Sequence, residues 1–575
     1  MEQAVNSGLV RRHHRRRASL TPAVPVTLVA VLSAVFVASL ANLSLWRSVL
    51  QLMPASAGSL GFLLAEAALL LALIHLLIAP FAIRPLFKPV LSLLLLISAV
   101  AAYFMDSYGS VIDKSMIQNV AETDPAEATE LFSAGLLQYL ALLWLLPSVI
   151  LWRLRIDYGS WRRQVFSRLL SVVVSVLVIA AALASHYRDF SLIGREHKEL
   201  RMQMNPVYPL YAAIRYVTET PVQPGTIQPI AEDAHRVMYA ANPSRQRLVV
   251  LVVGETARAA NFSLNGYSRR TNPELAQLPV YSFSNVVSCG TTTAVSVRCM
   301  FSALGRERYS QDQASAQENI LDVLQRVGVN VLWRDNNSGC KGVCDRVAHE
   351  QLDKLTTPEL CADGECFDGI LLTDLQSRLD ATTGDTLIVL HQKGSHGPAY
   401  YRRTPAAFKP FTPECQDANV QNCSQQTLIN AYDNTLFYTD HVLAALTSLL
   451  THNRDRFEST LIYLSDHGES LGEGGLYLHG FPYPVAPPEQ THVPLLVWFT
   501  PGMPDMLKLD TRCFAASTDT ALSHDHLFHS LLGLFDVRTN VYEQELDLFS
   551  DCRQPNRLAP RPELAGSPER GLATE

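Results

Sequence analysis

No cysteine occurs before residue 289, although the chain has 575 residues and ten cysteines. Acids are also scarce at first: residues 1–190 hold ten Asp and Glu against fifteen Lys and Arg, while the rest holds 44 against 32. A slightly basic apolar part therefore precedes an acidic polar part, which suggests a membrane portion followed by a soluble one. No C-x2-C…C-x2-C pair is present, which argues against a cytosolic zinc ribbon. An even number of cysteines in close pairs, confined to the polar part, suggests disulfides and an oxidising compartment. The net charge of −7 fits this picture, and no nucleic-acid partner is expected.

Five apolar stretches, near 23–43, 58–79, 87–105, 135–152 and 167–186, are long enough to span ~30 Å of hydrocarbon as helices. The arginine-rich leader (Arg11, Arg12, Arg15, Arg16, Arg17) fits a signal peptide, but four more spans follow, so the first reads as uncleaved. Arg84 and Lys88 follow the second span, and Arg153, Arg155, Arg162, Arg163 and Arg168 follow the fourth. The other two loops hold only Arg47 and Lys114. The positive-inside rule then places residues 1–22 in the cytoplasm and everything after residue 187 outside it. The expected organisation is a basic cytoplasmic N-terminus (1–22), a five-helix membrane domain (23–190), an interfacial helical linker (191–235), a catalytic domain (236–555) and a disordered tail (556–575). The linker mixes charge with Leu, Met and Tyr and is broken by Pro206 and Pro209. The outer loop 106–134 carries Glu122, Asp124, Glu127 and Glu130, and reads either as a solvated acidic loop or as a lipid-headgroup site.

In the polar part, 247–253, 329–333, 386–390 and 460–464 read as buried parallel strands, with helices over 317–327 and 427–451. Such alternation predicts an α/β domain with a mainly parallel sheet, whose sites gather at the carboxyl ends of strands. Glu255 lies just past a strand, as a metal ligand or a charge complement to a helix start. S-C-G-T-T-T-A-V-S puts three threonines before a helix, as a phosphate-binding nucleophile or as an ordinary cap. Asp466 and His467 follow a strand directly and suit zinc. His391, His396 and His479 follow in further clusters. One histidine is most often structural; several at strand ends on one side of a sheet point to a metal and phosphate site.

G-E-T, S-C-G-T-T-T-A-V-S, W-R-D-N-N-S-G-C-K-G, H-Q-K-G-S-H-G-P and S-D-H-G-E-S-L-G-E occur in one order. Together they resemble the phosphoethanolamine transferases that modify lipid A, including the mobile colistin-resistance enzymes, from the spans to about residue 550. The resemblance implies an alkaline-phosphatase-like soluble domain in the periplasm of a bacterial inner-membrane protein, with at least one zinc ion. It implies Thr293 as nucleophile and Glu255, Thr293, Asp466 and His467 as zinc ligands. Thr291, Asn337, Ser338, Lys341, His396 and His479 would form the substrate-phosphate pocket, with Glu469 beside the zinc pair. Asn119 and Glu127 match positions tied to donor-lipid binding. The implied disulfides are Cys289–Cys299, Cys340–Cys344, Cys361–Cys366 and Cys415–Cys423, which leaves Cys513 and Cys552 to each other. One departure is visible: Arg298 stands where the resemblance leads one to expect proline.

The implied reaction moves phosphoethanolamine from phosphatidylethanolamine to a lipid A phosphate through a phospho-threonine, with His396 or His479 as general acid and Lys341 countering phosphoryl charge. Capping a phosphate with a cation would weaken polymyxin binding. A monomer is expected. A lipopolysaccharide core sugar is an alternative acceptor, and a membrane-anchored phosphohydrolase an alternative class. A sulfatase needs Cys or Ser in a C/S-x-P-x-R context, and Thr293 lies in none. A non-catalytic polymyxin-binding protein would not need the metal ligands.

Overall fold

The computed structural model describes residues 23–554, apart from 53–56, 123–128, 130, 220–225, 238–244, 353–354, 356, 358 and 363–364. The expected cytoplasmic N-terminus, the tail and Glu127 lie outside the described residues. The chain forms two compact units: residues 1–103 with 136–209, and residues 104–135 with 210–575.

The first unit is helical. It comprises α1 (Val26–Leu40), α2 (Leu43–Leu52), α3 (Ala57–Ile78), most of α4 (Phe87–Tyr108), and, past the second unit's α5 (Lys114–Glu122), most of α6 (Ala134–Arg153) and α7 (Trp161–Ser185). Among the described residues four helices are long and apolar enough to cross a membrane, and five spans result if α1 and α2 count as one. The expected first span, 23–43, ends where α1 does, and a 58° bend leads on into α2. Side chains replace the lost helical bonds there: Asn42 Nδ2 donates to the Val37 carbonyl at 2.9 Å and Trp46 Nε1 to that of Ala38 at 2.8 Å. Buried Asn205 locks the bend, its backbone N–H donating to Asn42 Oδ1 and its amide to the Ala41 and Ser98 carbonyls. Helix α7 leaves Leu169, Leu170, Val173 and Leu177 exposed, the composition of a face turned to lipid.

The second unit is built on an eight-stranded sheet: β1 (Gln246–Gly254), β2 (Tyr281–Val287), β3 (Asn330–Asp335), β4 (Ala348–Gln351), β5 (Thr386–His391), β6 (Phe457–Ser465), β7 (His492–Phe499) and β8 (Leu522–Ser523). Their spatial order is β8-β2-β7-β6-β1-β5-β3-β4. The four strands expected from sequence, β1, β3, β5 and β6, lie side by side and parallel, each slightly longer than expected. Only β7 runs against the rest. Strands β1, β5 and β6 are buried apart from Gln246, as their continuous apolar runs require of strands covered on both faces. Expected helices appear as Ile320–Arg326 and Gln425–His452, the first with an Asn319–Asp322 capping box. Five disulfides close in the expected pairs, Cys513–Cys552 included. Four close loops of 4 to 10 residues and Cys513–Cys552 one of 39, the longest and so the one whose closure most restricts the unfolded chain.

Candidate active site

Register builds the site. Gly254 of β1 pairs with Ser465 of β6, so the residues that follow, Glu255 and Asp466, leave the sheet side by side. The next strand over, β5, ends at His391 opposite Val253 and Asp335. Gly394, just beyond, has φ +54°, and a Cβ there would lie 2.6 Å from the Glu255 carbonyl oxygen, so only glycine lets this loop pass. Thr293 opens the helix Thr293–Met300, whose cap residue Thr292 makes no side-chain capping bond. The threonines are therefore not an ordinary cap.

Four side chains converge with few hydrogens between them. Thr293 Oγ1 lies 3.1 and 3.3 Å from the Glu255 oxygens and 3.4 Å from His467 Nε2. His467 Nε2 is also 3.3 Å from Asp466 Oδ2 and 3.4 Å from Glu255 Oε1. His467 Nδ1 is 3.0 Å from the Gly468 carbonyl, so it carries the proton and Nε2 presents a lone pair. Asp466 Oδ1 accepts the His467 and Thr256 amides, while Oδ2 is buried without a hydrogen-bond partner. Burial and the neighbouring Asp466 push the Glu255 carboxyl well above the usual range, and burial lifts Asp466 to about 7. Burial, with His479 nearby, keeps His467 neutral. Two buried carboxylates, a bare imidazole nitrogen and an orphaned oxygen fit a divalent cation.

Around this centre runs a cavity of about 110 Å³. Its polar wall holds Thr293, Ser338, Lys341, His396, His479 and Asn119; its apolar wall holds Phe104, Met116, Val120 and Leu478. Lys341 Nζ donates to Ser338 Oγ at 2.8 Å. His479 Nδ1 is 2.9 Å from Glu469 Oε2, and Tyr400 donates to Oε1 of the same carboxylate at 2.6 Å. Burial disfavours the His479 imidazolium, but Glu469, Glu255 and Asp466 outweigh it and raise its pKa to about 9. His396 is pushed the other way, well below the usual histidine value, by burial and by His479, Lys393, Arg403 and Lys341. Three expected site residues are held away from the cavity wall. Thr291 donates to the Phe481 carbonyl at 2.7 Å, Asn337 donates to Glu255 Oε2 at 2.7 Å, and Glu469 lies behind His479. Sequence reasoning missed Tyr400; it singled out His391 and quoted the motif that holds Asp335, but not their pairing at 2.9 Å. Glu122, one of the outer-loop acids left open between a solvated loop and a headgroup site, lines the cavity from α5.

Residues 247–537 match the sulfatase family model, and residues 70–220 match the model of phosphoethanolamine transferases EptA/EptB. The chain is 40% identical to phosphoethanolamine transferase EptA of Escherichia coli, over 91% of this chain and 96% of that one. It belongs to the EptA family of phosphoethanolamine transferases. It is likewise 41% identical to phosphatidylethanolamine transferase Mcr-1 of Escherichia coli, over 91% and 96%. The integral membrane protein EptA of Neisseria meningitidis superposes with a TM-score of 0.89 at 35% identity, over 93% of this chain and all of the other. Fold class, mixed but mostly parallel sheet and membrane portion are thus those of an EptA-type transferase with a sulfatase-family soluble domain.

Proposed function

We propose that this chain, working on the periplasmic side of the inner membrane, takes phosphoethanolamine from phosphatidylethanolamine and passes it to a lipid A phosphate through a covalent bond to Thr293. The observation that carries the reading is Thr293 itself: its hydroxyl lies against Glu255 and His467 and on the wall shared by Lys341, His396 and His479. Zinc is the ion we assign to Glu255, Asp466, His467 and Thr293. When bound, it would supply Lewis-acid charge that makes the hydroxyl acidic and steadies the transferring phosphoryl group.

In the first half-reaction Thr293 Oγ1 attacks phosphorus, and the bond to the diacylglycerol oxygen breaks. His479, its pKa raised, protonates the departing oxygen and is reloaded by the proton that Thr293 gives up. Burial and the neighbouring cations disfavour a charged His396, so we assign it to orienting the substrate. Lys341 holds a phosphoryl oxygen. In the second half an acceptor phosphate oxygen attacks the same phosphorus and Thr293 leaves, taking its proton back from His479, which the acceptor phosphate's own proton reloads. Capped phosphates lower the negative charge that draws cationic peptides such as polymyxin.

Mass spectrometry of lipid A from cells with and without the chain tests the reading: phosphoethanolamine should be added to a lipid A phosphate. Addition to a core sugar alone would move the acceptor. Glu469→Gln should lower the His479 pKa. Because the acid form is present below that pKa and lost above it, the alkaline limb of kcat should move to lower pH. An unmoved limb would transfer the acid role elsewhere.

A further inference from the structure

We propose that Arg298 is a positioning residue that ties the nucleophile helix to two walls of the donor cavity, a reading that rests on the roles of Thr293 and Lys341 given above. Arg298 sits on the helix that Thr293 opens, 17% of its side chain exposed. Its Nε donates to the Lys341 backbone carbonyl at 2.6 Å. Its Nη1 donates to the carbonyl of Ala294, one turn back, at 3.2 Å. Both terminal nitrogens reach Glu122 Oε1, at 3.3 and 3.4 Å. Glu122 is the last residue of α5, and Gln118 Nε2 holds the same oxygen at 2.7 Å. One guanidinium thus joins three chain segments, each of which supplies the cavity with a polar group: Thr293, Lys341 and Asn119.

Each arm answers a physical need. Lys341 has φ +53°, a left-handed backbone that a side-chain-bearing residue keeps only when its surroundings hold it. A charge-assisted bond to its carbonyl is such a hold, and it fixes where the ammonium of Lys341 starts from. Helix α5 has nine residues, too few to be stable on its own, and Val120 on it is largely exposed. An ion pair at its last turn pins it. The pairing needs a planar fork with five donors; lysine has no such geometry, and proline has no donor at all.

The two arms should separate in kinetics. With the full-length chain and phosphatidylethanolamine labelled on an acyl chain, diacylglycerol release gives kcat and KM. Glu122→Gln should raise KM about fivefold, with kcat within twofold. Arg298→Met should raise KM equally and also lower kcat about tenfold, because it frees Lys341 as well. The double variant should have the KM of Arg298→Met alone. High salt should raise the KM of the unaltered chain and leave that of the variants flat. Amide hydrogen exchange reads the same contacts without turnover: Glu122→Gln should speed exchange over 114–122, and Arg298→Met over both 114–122 and 338–342. Unchanged exchange in Arg298→Met, or KM effects that add in the double variant, would overturn the proposal. The expected exchange pattern in a chain that releases no diacylglycerol would uphold the strut and sink the transferase reading instead.

Discussion

Thr293→Ala should abolish transfer, by roughly three orders of magnitude or more, while the fold persists. Thr293 is 5% exposed and its hydroxyl lies against the Glu255 carboxylate and His467 Nε2. Removing one oxygen leaves no atom for a covalent intermediate, and the neighbouring Thr292 hydroxyl, buried without a partner, sits outside the Glu255–His467 contact. The lost oxygen bonds within the Glu255–Asp466–His467 cluster, so the cost to stability should be small. Intact-mass measurement after exposure to phosphatidylethanolamine should show a phosphoethanolamine adduct on the unaltered chain and none on the variant. Thr293→Ser, which keeps the oxygen, should retain the adduct. An active alanine variant would end the nucleophile assignment.

How much of this was legible in the sequence follows from how local each signal is. Strands β1, β3, β5 and β6 are uniform apolar runs, and their parallel pairing follows from the helices between them. Strand β7, H-V-P-L-L-V-W-F, is as apolar, but nothing local tells that it runs antiparallel between β6 and β2; that is a matter of tertiary register. The end of the first span near Asn42 was readable, but not the bent continuation into α2, because Asn42's partner Asn205 is 163 residues away. At the site, motif residues that end strands were readable. The choice of acid was not: His396 and His479 look alike as letters, and only burial and Glu469 make one neutral and the other cationic. Arg298 was visible as a departure, but its two partners lie 43 and 176 residues away.

Asp466→Ala and His467→Ala should each lose both bound metal and activity, whereas Glu274→Ala, on a half-exposed residue paired with His441, should lose neither. Elemental analysis of the purified chains reads this directly, zinc being expected in preference to Mn2+ because a nitrogen ligand and four-coordination suit it. The domain should stay folded without metal, since five disulfides and a large sheet core hold it, unlike a zinc finger. Its stability should nonetheless respond. A ligand at a thousand times its Kd adds about 4 kcal/mol to the folded state, so a chelator should lower the Tm of the unaltered chain. It should leave the Tm of Asp466→Ala unmoved. The pH dependence has a definite sign. With metal removed, burial raises Asp466 from 3.8 to about 7, so the folded state resists its ionisation. That contribution is fully present below the unfolded value and is lost as pH rises toward 7. The chelated chain should therefore lose stability from this group between about pH 4 and 7, and Asp466→Asn should remove that loss. Bound cation should cancel it too, because it favours the ionised carboxylate. A His467→Ala chain that kept stoichiometric zinc and normal turnover would dismantle the site as drawn.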